Sequence, residues 1–79
     1  MKSANLRLSI NRDLNHFVSI VNRFPYEMNL WSGRKVRDAK SVLGILSLDL
    51  NRPLTLIIHH DHCEQLLEEL RPFAEADTA

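Results

Sequence analysis

Few side chains in this 79-residue chain are of a type that could do chemistry: His16, His59, His60, His62, Cys63, and the hydroxyl of Ser41 beside Lys40. An imidazole can take a phosphoryl group, ligate a metal or move a proton. His59, His60 and His62, with Asp61 and Cys63 among them, are superficially a metal motif. Consecutive residues at a strand end and loop point in different directions, however, and zinc sites draw ligands from separated segments. The cluster is expected to be a loop with a helix cap, with adventitious nickel or zinc binding as the alternative. Cys63 has no second thiol for a disulfide or redox motif and is expected to act as a small apolar residue on or near a helix. His16 falls one turn into a helix beside core-facing Phe17, which makes it an ordinary surface or boundary histidine. No nucleophile–base pair and no glycine-rich phosphate loop is visible, so the chain is not expected to be an enzyme with its own pocket, nor to hold a cofactor or metal.

The elements that would position these residues follow from hydrophobic spacing. Leu6, Leu8 and Ile10 alternate with polar neighbours over residues 5–10, the period of a half-buried strand. Asp13 can cap a following helix, in which Leu14, Phe17, Val18 and Val21 form one apolar stripe until about Phe24, where Pro25 stops it. Residues 27–31 and 34–37 read as a hairpin around Ser32-Gly33. Ser41 to Leu48 is apolar enough for a strand, yet its leading serine is an N-cap, and periodicity alone leaves it undecided. Leu54 to His59 reads as a buried strand after the turn Asn51-Arg52-Pro53. Asp61 and Glu64 form a capping-box pattern for a last helix carrying Leu66, Leu67, Leu70 and Phe73 on one side, and the polar tail after Ala74 is expected to fray. The fold class is α+β: an antiparallel sheet with helices on one face.

The length allows a single domain over residues 1–79, and ten Lys plus Arg balance ten Asp plus Glu, so no net field attracts nucleic acid or an anionic membrane. The apolar runs are too short to span a bilayer and the N-terminus has no signal-peptide core, which suggests a cytoplasmic protein.

Residues 29–58, NLWSGRKVRDAKSVLGILSLDLNRPLTLII, resemble the HPr family, the small phosphocarriers of the bacterial sugar phosphotransferase system. The most specific piece is AKSVLGILSL at 39–48, close to the family's lysine-serine, apolar pair, glycine, apolar pair, serine-leucine pattern. The resemblance implies an open-faced β-sandwich, four antiparallel strands covered on one face by three helices, and makes the undecided segment a short helix starting at Ser41.

The family's active site is a glycine, an apolar residue and His-Ala-Arg-Pro, where the first strand gives way to the first helix. The matching stretch here is Ser9-Ile10-Asn11-Arg12-Asp13-Leu14. Arg12 takes the arginine position. Ile10, or Asn11 if one residue is deleted, takes the histidine position, and neither holds phosphate through a ring nitrogen. The glycine and proline are absent too, and Asp49 stands where the carriers usually have glycine, adding a charge that would repel a phosphoryl group.

The resemblance is therefore to HPr-like or Crh-like members lacking the active-site histidine, which act in carbon catabolite regulation through protein contacts. It implies Ser41 as a phosphorylation site, with an HPr kinase/phosphorylase and a catabolite-control transcription factor as partners, and Arg12, Lys40, Val42 and Leu46 as the partner-binding surface. A phosphate at a helix N-cap meets free N–H groups and a favourable dipole. Serine is equally a good N-cap in its own right, worth about 1 kcal/mol. A diverged phosphocarrier using His16 is the alternative reading, and an interaction domain unconnected with sugar uptake is a third. Whether Trp31 packs on the sheet or faces a partner stays open at this level.

Overall fold

The computed structural model describes residues 1–75. The element order is β1 (Lys2–Leu6), α1 (Leu14–Val21), β2 (Met28–Ser32), β3 (Lys35–Asp38), α2 (Val42–Leu46), β4 (Leu54–Ile58) and α3 (Glu64–Glu69), followed by a 3₁₀ turn at Arg71–Phe73. The four strands form one antiparallel sheet in the order β1-β4-β2-β3. This is the HPr-like architecture of four strands and three helices.

The register explains which face is buried. Leu6 lies opposite Leu54, Leu30 opposite Leu56 and Met28 opposite Ile58, and all six are buried. Because side chains alternate along a strand, this puts one leucine-rich face under the helices. Phe17, Ile20 and Val21 from α1, Ile45 from α2 and Leu66 from α3 complete the core. Ser3, Asn5, Thr55, Ile57, Asn29 and Trp31 alternate with the buried positions and lie on the other, open face, where Trp31 pairs across the hairpin with Val36. Trp31 is 39% exposed on that open face.

Sequence spacing misplaces several boundaries. The hairpin turns at Gly33-Arg34 instead of Ser32-Gly33, so its strands are Met28–Ser32 and Lys35–Asp38 and not residues 27–31 and 34–37. The first strand is Lys2–Leu6 rather than residues 5–10. Leu8 is still buried, but by a loop, and Ile10 is 56% exposed. β1 ends at Leu6 because its partner strand β4 begins at Leu54, the residue opposite Leu6, and the outer edge of β1 there is taken by the far end of the molecule: Ala74 bridges Leu6, Arg7 N–H donates to Phe73 O at 2.8 Å, and Glu75 N–H donates to Asn5 O at 2.8 Å. Glu75 is thus held rather than frayed, and the remainder of the tail expected to fray lies outside the described residues. The first helix ends at Val21, three residues before Phe24, in a turn where Arg23 N–H reaches Ile20 O and Phe24 N–H reaches Val21 O.

A last correction concerns α3. Its N-cap residue is Cys63, with no side-chain cap, instead of an Asp61–Glu64 capping box. Asp61 is drawn to the Met1 amino group, which holds its carboxyl below the usual range, first through the hydrogen bond and then through charge. Among the described residues no helix is long and apolar enough to cross a membrane.

Candidate functional site

The loop between β1 and α1 closes on itself through Asp13. Its Oδ2 accepts the Ser9 N–H at 2.9 Å, while its own N–H donates to Ser9 O at 2.8 Å. Oδ1 lies 3.4 Å from Arg12 Nε. Asp13 therefore precedes α1 without capping it: its carboxylate makes no bond to the helix N–H groups and instead shapes Ser9-Ile10-Asn11-Arg12 into a compact loop.

Around this loop is an open cleft of about 550 Å³, lined by Arg7 to Asp13, Leu50, Asn51 and Pro72 to Ala74. It contains two guanidinium groups. Arg12 is largely exposed, and Arg7 pairs with Glu75 at 2.8 Å. The other polar side chains are the hydroxyl of Ser9, the amides of Asn11 and Asn51 and the carboxylate of Asp13, which is engaged by Ser9 N–H. Such a set can hold an acidic group by hydrogen bonds and charge, but supplies no imidazole or thiol to form a covalent bond with it.

His16 is outside this lining. It is exposed on α1, with its ring edge-on to Phe73 at 5.3 Å between centroids, so it packs against a residue of the cleft wall. Asp49 also lies outside the lining. Its carboxylate is spent on its own turn, accepting the Asn51 N–H at 3.1 Å and pairing with Arg52 at 3.5 Å. The expected charge beside the cleft is thereby partly neutralised.

A second group of candidates surrounds α2. Ser41 has extended backbone angles and its Oγ accepts the Gly44 N–H at 3.0 Å, so the short helix starts on a true serine cap. Only Ile45 of α2 is buried; Val42 (37%), Leu46 (45%) and Leu43 (80%) are exposed. Leu43, which sequence reading passed over, is the most exposed of these and completes a small apolar patch. The signal was present in the spacing, since a five-residue helix resting on one buried side chain must show the others to solvent.

Lys40 departs from its expected role. Its ammonium donates to Phe24 O at 2.6 Å, and Asn22 Nδ2 reaches Lys40 O at 3.4 Å. The lysine thus ties the approach to α2 to the end of α1 and does not extend from the surface as a free charge. Arg37, unmarked by sequence reading, is the basic residue that does reach α2: its Nε donates to Ser47 Oγ at 2.9 Å and its Nη1 to Val36 O at 2.7 Å.

The histidine-rich loop does not converge. His59 Nε2 lies 2.7 Å from Asn29 Oδ1, and His60 stacks on Tyr26 at 4.4 Å between centroids. Tyr26 OH donates to His62 O. No group of three or more His, Cys, Asp or Glu side chains among the described residues is arranged to hold a metal ion. Cys63 is buried, and its surroundings push the thiol pKa up, first by burial and then by the neighbouring Glu64.

No model of a known protein family matches the chain, and no curated protein does. Solved structures do match. The chain is similar to the phosphocarrier protein HPr of Bacillus anthracis strain Ames at 25% identity and TM-score 0.74, covering 94% of this chain and 96% of that one. It is similar to HPr-C-His of Thermoanaerobacter tengcongensis at 23% identity and TM-score 0.75, over 89% and 86% of the two chains. Crh, a catabolite-repression protein of Bacillus subtilis described as a dimer with a swapped domain, matches at 26% identity and TM-score 0.62, over 91% and 88%. The fold is that of the HPr and Crh proteins.

Proposed function

We propose that the chain is an HPr-like regulatory or binding protein related to the sugar phosphotransferase system, working in the cytoplasm as one domain and not carrying phosphate on a histidine. One observation carries the reading: the cleft at the mouth of α1 keeps Arg12 and backbone polar groups but is lined by Ile10 and Asn11, with no imidazole, and its loop is already closed by the carboxylate of Asp13. The family mechanism needs a ring nitrogen as nucleophile and a place for the incoming dianion. A resident carboxylate opposes the second as the missing ring opposes the first.

The surface left for partners is Arg12 on the cleft rim together with Val42, Leu43 and Leu46 on α2. Ser41, half-buried at the start of that patch, is the modification site in this reading. Phosphorylation would place nearly two negative charges beside the apolar residues a partner grips. The partners are the proteins of the phosphotransferase system, an HPr kinase/phosphorylase and a catabolite-control transcription factor. Incubation with an HPr kinase and ATP should give a single acid-stable phosphate on Ser41, and its absence removes the switch from the proposal.

A second reading has the exposure of His16 and its contact with Phe73 in its favour: a diverged phosphocarrier using His16. Incubation with phosphoenolpyruvate and Enzyme I separates the two. Acid-labile phosphate on His16 would overturn the first reading.

A further inference from the structure

Arg37 lies on β3 directly opposite Leu30, so its side chain leaves the sheet on the helix-covered face. On an edge strand facing a short helix, an apolar residue would ordinarily fill that place. Here the arginine stem runs along α2 at Gly44. A Cβ built on Gly44 would stand 3.3 Å from Arg37 Cβ and 3.3 Å from Ser41 Oγ. Arg37 Cβ and Ser41 Oγ therefore border the same space beside Gly44, which is left open because residue 44 has no side chain.

The guanidinium is anchored only by neutral acceptors, Ser47 Oγ and Val36 O. Two of its five N–H donors are thus engaged, and no carboxylate among the described residues forms an ion pair with it. Lys40, the other cation near Ser41, is turned away to Phe24 O.

We infer that Arg37 is the internal receptor for a phosphate on Ser41, exchanging its bond to Ser47 for a bidentate bond to the phosphoryl oxygens. This rests on the proposed modification of Ser41. In the modification a protein kinase transfers the γ-phosphoryl group of a nucleoside triphosphate. The Ser41 Oγ–P bond forms, the bond from the γ-phosphorus to the β–γ bridging oxygen breaks, and the hydroxyl proton goes to the kinase's base. The dianion offers charge-assisted bonds about twice as strong as those to a hydroxyl, in the planar geometry that arginine matches. The exchange draws the guanidinium from the C-terminal end of α2 to its beginning. Ser47 is left bonded only within its own helix, to Gly44 O, and the Leu46 end of the patch is released from β3. Modification thereby changes the shape of the surface as well as its charge.

The test installs phosphoserine at position 41 by chemical synthesis or semisynthesis, so that no kinase is needed. Failure of a kinase to act bears on the proposed function alone; the outcome below bears on Arg37. Phosphorus NMR should give a second phosphate pKa lower by about half a unit or more than in the Arg37→Gln protein carrying the same phosphoserine. Asp38 and Lys40 are common to both proteins, so the difference isolates Arg37. The Arg37 Nε–H signal should also shift on phosphorylation and follow the phosphate titration. If Arg37→Gln does not fold, that signal in the otherwise unaltered protein decides alone. Equal pKa values, or an Arg37 signal indifferent to the phosphate, overturn the inference.

Discussion

Asp13 does at one position what a bound anion would do in an open loop. Its side chain is 17% exposed and satisfies the Ser9 N–H, so truncation removes a charge-assisted bond and leaves a donor short of a partner. Asp13→Ala should cost about 1–2 kcal/mol in urea unfolding, with Asp13→Asn retaining part of it. Cys63 gives a second check at this scale. Burial raises its thiol pKa above the ordinary 9.0, so the unfolded chain loses that proton first. The associated stability is present below the ordinary value and is lost as pH climbs through the raised one. Alkylation at neutral pH should be slow in the native protein and speed up on addition of denaturant, because the thiolate is the reactive form. Fast native labelling would show that the thiol is accessible. Lys40 marks the limit of residue-level inference from sequence. Its place before Ser41 was plain, but its bond to Phe24 O depends on a carbonyl 16 residues away.

At the scale of elements, legibility followed locality. The hairpin was readable because Gly33 takes φ +60°, a conformation that glycine announces, although the turn residues are Gly33-Arg34 and Ser32 belongs to β2. Gly33→Ala meets no steric neighbour, yet should cost about 1 kcal/mol through backbone strain alone, measurable as a lower unfolding midpoint. The start of α2 was readable for the same reason, since Ser41 bonds three residues ahead; Ser41→Ala should lose about 1 kcal/mol. β1 and the cap of α3 were misjudged because distant partners decide them. Alternation through Leu8 and Ile10 continues past Leu6, where the partner strand β4 runs out at Leu54, and Asp61 answers Met1 across 60 residues instead of Glu64. The cleft was located by resemblance alone. Its walls come from three segments whose meeting no periodicity encodes.

Across the whole molecule, one sheet face carries the stability, with Leu30, Leu54, Leu56 and Ile58 all fully buried beneath the helices. Leu56→Ala, in one of the two strands that pair on both sides, should cost about 2–5 kcal/mol by denaturant titration, a large share of what so small a fold possesses. A loss below about 1 kcal/mol would mean the core collapses around the gap. The bond pattern at Phe73, Ala74 and Glu75 matters for another reason. β1 is an outer strand, and unpaired strand edges invite pairing with other chains. Asn5 O and Arg7 N–H are taken by that C-terminal segment, so among the described residues the outer edge of β1 is covered from Asn5 onward. Residues 73–75 thus shorten the run of unpaired backbone that this side of the sheet offers to a strand from another molecule.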